Sequence, residues 1–286
     1  MTHPRLERRH LATVVCCLMA AAALPLHAAA EEQDSEPEEP AAKPTYFMLP
    51  MEIDTDSGAA NGGAVIGRLL PFNSIPIGRN WRLLNIAIVN IASAPGGRPG
   101  SPGNPEPMPG EKVFGLGDVS DSVLFSKAGA WWGAGVILGL PTASYGALGS
   151  GKWSAGPAFR LGHTSGPWLL SLLAGNLKSY AGESGRADVH QLLLRVTVRR
   201  TFKEKWFFLY SPIITGNWNA KSSQRWLVPV GGGIGRHFDL RGTPLNVSLQ
   251  AYRNVIRPDG APHNVFRVGF TIPFRIPDRL RSSKGP

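Results

Sequence analysis

Four histidines lie beyond the first 30 residues: His163, His190, His237 and His263. No two are spaced to hold a metal ion from one element, and there is no His-Glu-x-x-His. His163 and Ser165 could suggest a hydrolase, which needs a serine nucleophile and a histidine base. This pair falls at a short turn, and no Gly-x-Ser-x-Gly elbow is present. Gly231-Gly-Gly-Ile-Gly235 is glycine-rich but lies within a strand, with no helix to present N–H groups to a phosphate. Both cysteines, Cys16 and Cys17, fall in an apolar run near the start. The rest of the chain therefore has no disulfide, thiol nucleophile or thiolate–metal site. These residues point to no catalytic residue, no metal and no cofactor. What they do contain is a basic set, Lys152, Arg160, Arg195, Arg199 and Arg267, each on the polar parity of its segment. Gathered in a lumen, such cations would favour anions, as charged rings do in pores. Paired with acids such as Asp118, Asp121 and Asp188, they would instead zip the lumen shut.

The elements that must carry this set are strands. From Tyr46 onward, short alternating segments recur between turn residues. They lie near 46–53, 62–71, 81–92, 112–126, 130–140, 151–163, 166–178, 187–201, 204–218, 225–239, 244–256 and 263–274. In 189–199, Leu192, Leu194, Val196 and Val198 oppose Gln191, Arg195, Thr197 and Arg199. In 244–256, Leu245, Val247, Leu249, Ala251 and Val255 oppose Asn246, Ser248, Gln250, Tyr252 and Asn254. A soluble sandwich would give the same alternation with the faces reversed. The ends of the chain decide between them.

Residues 1–30 read as a cleaved export signal. Arg5, Arg8 and Arg9 precede an apolar run and then Ala28-Ala29-Ala30. The uncharged stretch 128–151 is broken by Pro141 and crowded with glycine, so it is no spanning helix, which needs about 18 or more apolar residues. An exported chain that spans a membrane without helices must close a barrel, because lipid satisfies no open sheet edge. Its apolar parity then faces lipid, where a charge near the midplane costs about 2–4 kcal/mol.

The expected fold class is all-β: a transmembrane antiparallel β-barrel of about twelve strands over 46–274. With both ends on the periplasmic side, alternate connections should be short; only 72–80 is longer than this expects. The eight tryptophans, among them Trp81, Trp168, Trp206 and Trp226, fall at or near segment ends, as in an interfacial girdle. Inward glycines at 231, 233 and 235 signal either lumen room or sharp curvature of the wall.

Residues 31–45 form an acidic leader, with Glu31, Glu32, Asp34, Glu36, Glu38 and Glu39, that cannot bury enough apolar surface to fold alone; the alternative is a plug in the lumen. Residues 275–286 form a basic tail. The formal net charge of +10 suggests lipid and lipopolysaccharide headgroups as partners rather than nucleic acid. The closing segment carries Arg267, Gly269, Ile272 and Phe274, the polar–Gly–hydrophobic–aromatic spacing that barrel-assembly machinery reads.

Several motifs occur in order: Gly115-Leu-Gly-Asp118, Leu140-Pro-Thr142, Leu148-Gly-Ser-Gly-Lys-Trp153, Arg186-Ala-Asp-Val189, and Trp226-Leu-Val-Pro-Val-Gly-Gly-Gly-Ile-Gly-Arg236. Together, over roughly 60–274, the chain resembles the outer-membrane barrel family named for the meta-pathway of phenol degradation, some members of which carry the misleading name neuromedin U. The resemblance implies a non-enzymatic outer-membrane barrel for entry of small hydrophobic or aromatic compounds. The alternatives from the residues themselves are an anion-preferring pore and a plugged structural or surface-interaction barrel. The 92–110 loop and the basic tail depart from the family's pattern.

Overall fold

The computed structural model describes residues 46–57, 64–95, 112–202, 205–240 and 243–275. The expected signal, the acidic leader, most of the 92–110 loop and the basic tail lie outside these residues.

The described residues form fifteen strand segments. The first seven are β1 (Tyr46–Ser57), β2 (Ala64–Leu69), β3 (Phe72–Ile77), β4 (Trp81–Pro95), β5 (Lys112–Leu116), β6 (Val119–Lys127) and β7 (Trp132–Leu140). Next come β8 (Lys152–Ser165), β9 (Trp168–Gly182), β10 (His190–Thr201), β11 (Trp206–Tyr210) and β12 (Ile213–Asn217). β13 (Trp226–Leu240), β14 (Thr243–Ile256) and β15 (Asn264–Arg275) complete the wall. β2–β3, β5–β6 and β11–β12 are each one strand interrupted, so the ring has 12 wall strands, all antiparallel. β15 pairs with β1, from Tyr46–Arg275 to Thr55–Phe266, and β9 pairs with β10, which closes the ring.

Turn lengths alternate as a barrel requires. At the end holding the start of β1 and the finish of β15, the turns after β3, β6, β8, β11's predecessor β10, and β13 are short. All six connections at the opposite, loop end are longer. The long 72–80 connection expected from sequence does not exist. β3 continues the strand after a break at Leu70–Pro71, leaving only Gly78, Arg79 and Asn80 as the turn. Proline has no N–H for the ladder, which is why the strand breaks there.

Alternation sets the faces. Leu249 and Phe266 are 60% and 53% exposed, while their neighbours Gln250 and Arg267 are each 5% exposed. Trp153, Phe159, Val136, Ile234 and Phe125 are likewise exposed outward, giving the wall an apolar exterior. Tryptophans start β4, β7, β9, β11 and β13. At the short-turn end, Arg200 lies over Trp168 and Arg236 over Trp206, an arrangement suited to an interface.

The lumen is not uniformly polar, contrary to the expectation that apolar parity always means lipid. Leu84, Leu124, Ile137, Ala158, Leu173, Leu177 and Val189 point inward and form a buried cluster, with Phe72 and Ile86 packed on it. Strands β4 and β9 carry leucines on both parities, so one face can meet lipid while the other fills the barrel. Glycines let the wall close up. A Cβ on Gly233 would land on the Leu249 carbonyl oxygen of β14, so that glycine serves close approach of two backbones rather than space in the lumen.

Candidate functional site

The lumen is barred at mid-height by one carboxylate and three guanidiniums. Glu52 points inward from β1, between its register partners Arg68 on β2 and Gly269 on β15. Its Oε2 lies 3.4 Å from Arg68 Nη1 and 3.3 Å from Arg267 Nη1. Its Oε1 lies 2.5 Å from Arg195 Nη2. Arg195 comes from β10, almost opposite β1 in the ring, so this contact spans the lumen. Glu52, Arg68 and Arg267 are 5%, 7% and 5% exposed, deep enough for each charge to need its partners.

Neutral polar groups complete the network. Arg68 Nε donates to Asn90 Oδ1 at 3.2 Å, Arg195 Nη2 to Ser211 Oγ at 2.9 Å, and Arg267 Nη1 to the Ser211 carbonyl at 2.8 Å. The Arg267 guanidinium lies 5.2 Å from the Tyr252 ring centroid. Tyr252 Oη donates to Gln250 Oε1 at 2.5 Å, and Gln250 Nε2 donates to Ser248 Oγ at 3.1 Å. Among the described side chains, Glu52 is the anion that these three cations share.

A second barrier covers the loop end. The 141–151 connection turns inward through a short 3-10 turn, Gly146–Leu148, and seats Leu148 against Ala64, Ile66 and Ala92 of β2 and β4. Two charged residues clamp it. Asp118, in the break between β5 and β6, accepts from Ser150 N at 2.6 Å, Ser150 Oγ at 2.7 Å and Ala143 N at 3.3 Å. Arg186 donates to the carbonyls of Ser150 at 3.2 Å and Gly146 at 2.5 Å, and to that of Gly149. Thr142 Oγ1 accepts from Val119 N and donates to the Gly117 carbonyl. The motifs around Asp118, Thr142, Ser150 and Arg186, scattered in sequence, thus converge on one lid.

The five basic residues singled out from the sequence do not form one ring. Arg195 and Arg267 join the hub. Arg199 and Arg160 lie nearer the short-turn end, stacked on Phe207 and Phe72 at 5.8 Å each. Lys152 sits at the loop end, 3.3 Å from Asp188 Oδ1. Hydrogen bonds from Lys152 and from Ser179, at 3.1 Å, hold the exposed Asp188 carboxyl below the usual aspartate range.

The suggested acidic partners need correction. Asp188 pairs with Lys152, but Asp118 clamps the lid. Asp121 takes the outward parity of β6 and accepts from Asn85 Nδ2 at 2.7 Å. The acid that bridges the lumen is Glu52, which sequence reasoning passed over. Its signal was available: a carboxylate between the apolar residues Met51 and Ile53 of an alternating strand. Arg68, Ser211 and Tyr252 were missed for the same reason, since contacts across a lumen leave no local pattern.

Of the closing-strand signal, Arg267 and Gly269 face inward, Ile272 is half-buried, and Phe274 pairs in register with Phe47 of β1. His163 and Ser165 are exposed at the end of β8. Among the described residues, no cluster of histidine, cysteine, aspartate or glutamate is arranged to hold a metal ion.

No family model matches the chain, and no curated protein matches it. Among solved structures, it is similar to an outer-membrane channel from Pseudomonas putida F1, with 15% identity and a TM-score of 0.55, covering 85% of this chain and 100% of that one. It also matches the β-domain of a Bordetella autotransporter (14% identity, TM-score 0.38, 80% and 98% covered). A third match is the translocator domain of an autotransporter from Neisseria meningitidis (10%, 0.39, 82% and 90%). At such identities the first likeness concerns the fold, a membrane-spanning barrel, and the other two add nothing to it.

Proposed function

We propose that the chain is an outer-membrane channel that passes small apolar or aromatic compounds passively, as its resemblance to the phenol-degradation barrel family implies. In this reading residues 1–30 are a cleaved export signal. Arg267, Gly269, Ile272 and Phe274 present the closing strand to the barrel-assembly machinery. The finished wall contacts outer-membrane lipid and lipopolysaccharide.

The observation that carries the reading is the divided lumen. One side is the Glu52 hub; the other is the apolar cluster of Leu84, Leu124, Ile137, Leu173, Leu177 and Val189. An ion crossing the barrel must break the hub and leave a buried charge unpaired, which costs about 3–5 kcal/mol. An apolar guest need only part aliphatic side chains, and it strands no polar group. The test is entry of an aromatic fluorophore into proteoliposomes loaded with a quencher. Quenching faster than in protein-free vesicles, without steady ionic conductance, is expected. A rate equal to that of protein-free vesicles overturns the reading.

The three guanidiniums gathered at the hub favour a second reading, an anion-preferring conduit. Steady conductance of the unaltered protein with an anion-directed reversal potential in a salt gradient would select it.

A further inference from the structure

Two arginines on the outer face of the wall have aromatic neighbours and no acid. Arg200, near the end of β10, lies 5.2 Å from the Trp168 ring centroid and 5.3 Å from that of Phe202. Arg236, near the end of β13, lies 5.4 Å from the Trp206 centroid and 5.7 Å from that of Phe238. Among the described residues, these are the only guanidiniums set against two rings; the other stacked ones meet one. Both arginines are exposed, and no carboxylate of the described residues pairs with either. The described acid nearest to Arg236 in sequence, Asp239, lies on the other parity of β13.

Register places the two guanidiniums on either side of β11. Arg200 pairs with Phe208, and Arg236 with Trp206, two residues away on the same face of β11. Adjacent strands lie about 4.8 Å apart and rise about 3.4 Å per residue, so the two Cα atoms stand ~12 Å apart. They sit beside the tryptophans that open β9 and β11, the level of lipid headgroups. With two rings against it, a guanidinium is held in place while its N–H fork stays available to a phosphate. An apolar strip begins beside them. Phe208 pairs with Ile234, and Ile234 with Leu249; they are 37%, 59% and 60% exposed. Ile234 and Leu249 lie deeper in their strands than Arg200 and Phe208 do in theirs, so the strip leads from the headgroup level toward the middle of the membrane.

We infer that this face is a binding site for a phospholipid with two phosphodiesters, diphosphatidylglycerol. One phosphate sits at each guanidinium, and acyl chains lie along Phe208, Ile234 and Leu249. The three-carbon linker between its phosphates suits two cations separated by one strand. A lipid with a single phosphate fills one seat and leaves the other cation without an anion. Short turns face the periplasm in such barrels, so the site belongs to the leaflet opposite lipopolysaccharide. It is a property of the wall, independent of what the lumen carries.

The experiment is native mass spectrometry of the full-length, delipidated protein with an equimolar mixture of diphosphatidylglycerol, phosphatidylglycerol and hexa-acylated lipid A. One retained diphosphatidylglycerol per barrel, in preference to the other two lipids, is expected. Arg200→Gln and Arg236→Gln should each weaken that retention about tenfold, since each removes a charged hydrogen-bonding partner of a phosphate. Arg200→Lys keeps the cation but loses the planar fork, and should weaken it too. Arg225→Gln makes the same change of charge at the loop end and should leave retention unaltered. Equal retention of phosphatidylglycerol, or preferred retention of lipid A, overturns the site. So does diphosphatidylglycerol binding that both glutamine variants leave undiminished, or that Arg225→Gln weakens as much. Folding of each variant is read from its fast-migrating band on unboiled gels. Should the variants fail to fold, the lipid preference of the unaltered protein decides alone.

Discussion

Glu52 of the first strand and Arg195 of β10 lie 2.5 Å apart although their strands stand almost opposite in the ring. That contact makes the lumen a cross-braced interior rather than an open tube. It also ties the hub to Ser211, between β11 and β12, which shares Arg195 and Arg267 with Glu52.

Removing Glu52 should be costly. Glu52→Ala removes the carboxylate that Arg68, Arg195 and Arg267 share, and loss of one partner of a buried pair typically costs about 3–5 kcal/mol. Urea unfolding in lipid vesicles, followed by tryptophan fluorescence, should show a lower midpoint of that order. Glu52→Asp, too short to reach all three cations, should also lower it.

The lid should depend on the shape of Arg186, not only its charge. Arg186→Lys keeps the cation but loses the planar fork that reaches the carbonyls of Gly146, Gly149 and Ser150. Each hydrogen bond to a charged group is worth about 1.5–3 kcal/mol. Limited proteolysis should cut within 141–151 in Arg186→Lys and in Asp118→Asn, and not in the parent.

Close approach of backbones should make Gly233 intolerant of any side chain. Gly233→Ala would press a methyl group onto the Leu249 carbonyl, whereas a Cβ at Gly185 meets nothing within 4 Å. On gels run without boiling, Gly233→Ala should lose the fast-migrating folded band, and Gly185→Ala should keep it.

Asp188 should titrate low. Its carboxyl is held below the usual aspartate range by Lys152 and Ser179. The stabilising contact is thus complete above the unfolded aspartate value and is lost as pH falls through the lower folded-state value. Carboxyl-carbon NMR should place the Asp188 midpoint below that of a model aspartate, and Lys152→Met should raise it.

How much of this was legible in the sequence depends on distance along the chain. Alternation placed Leu249 and Phe266 outward and Gln250 and Arg267 inward, because a strand's period of two is local. It failed where both parities are apolar, as at Leu83–Leu84 and Leu172–Leu173, since nothing there says which leucine meets lipid. It merged or misplaced the breaks at Leu70–Pro71 and Ser211–Pro212, where proline interrupts a ladder but not the strand's path. The acid opposing Arg195 was beyond its reach, because Glu52 lies 143 positions away and only closure of the ring brings the two together.

The most direct test of the braced lumen is single-channel recording in a planar bilayer under a salt gradient. The unaltered protein is compared with the Glu52→Ala/Arg186→Ala variant, which lacks both the hub's anion and the lid's clamp. The unaltered barrel should pass no steady current, and the variant should conduct with anion preference through the freed arginines. Steady conductance by the unaltered protein, with Glu52 and Arg186 in place, would contradict a lumen barred by these contacts.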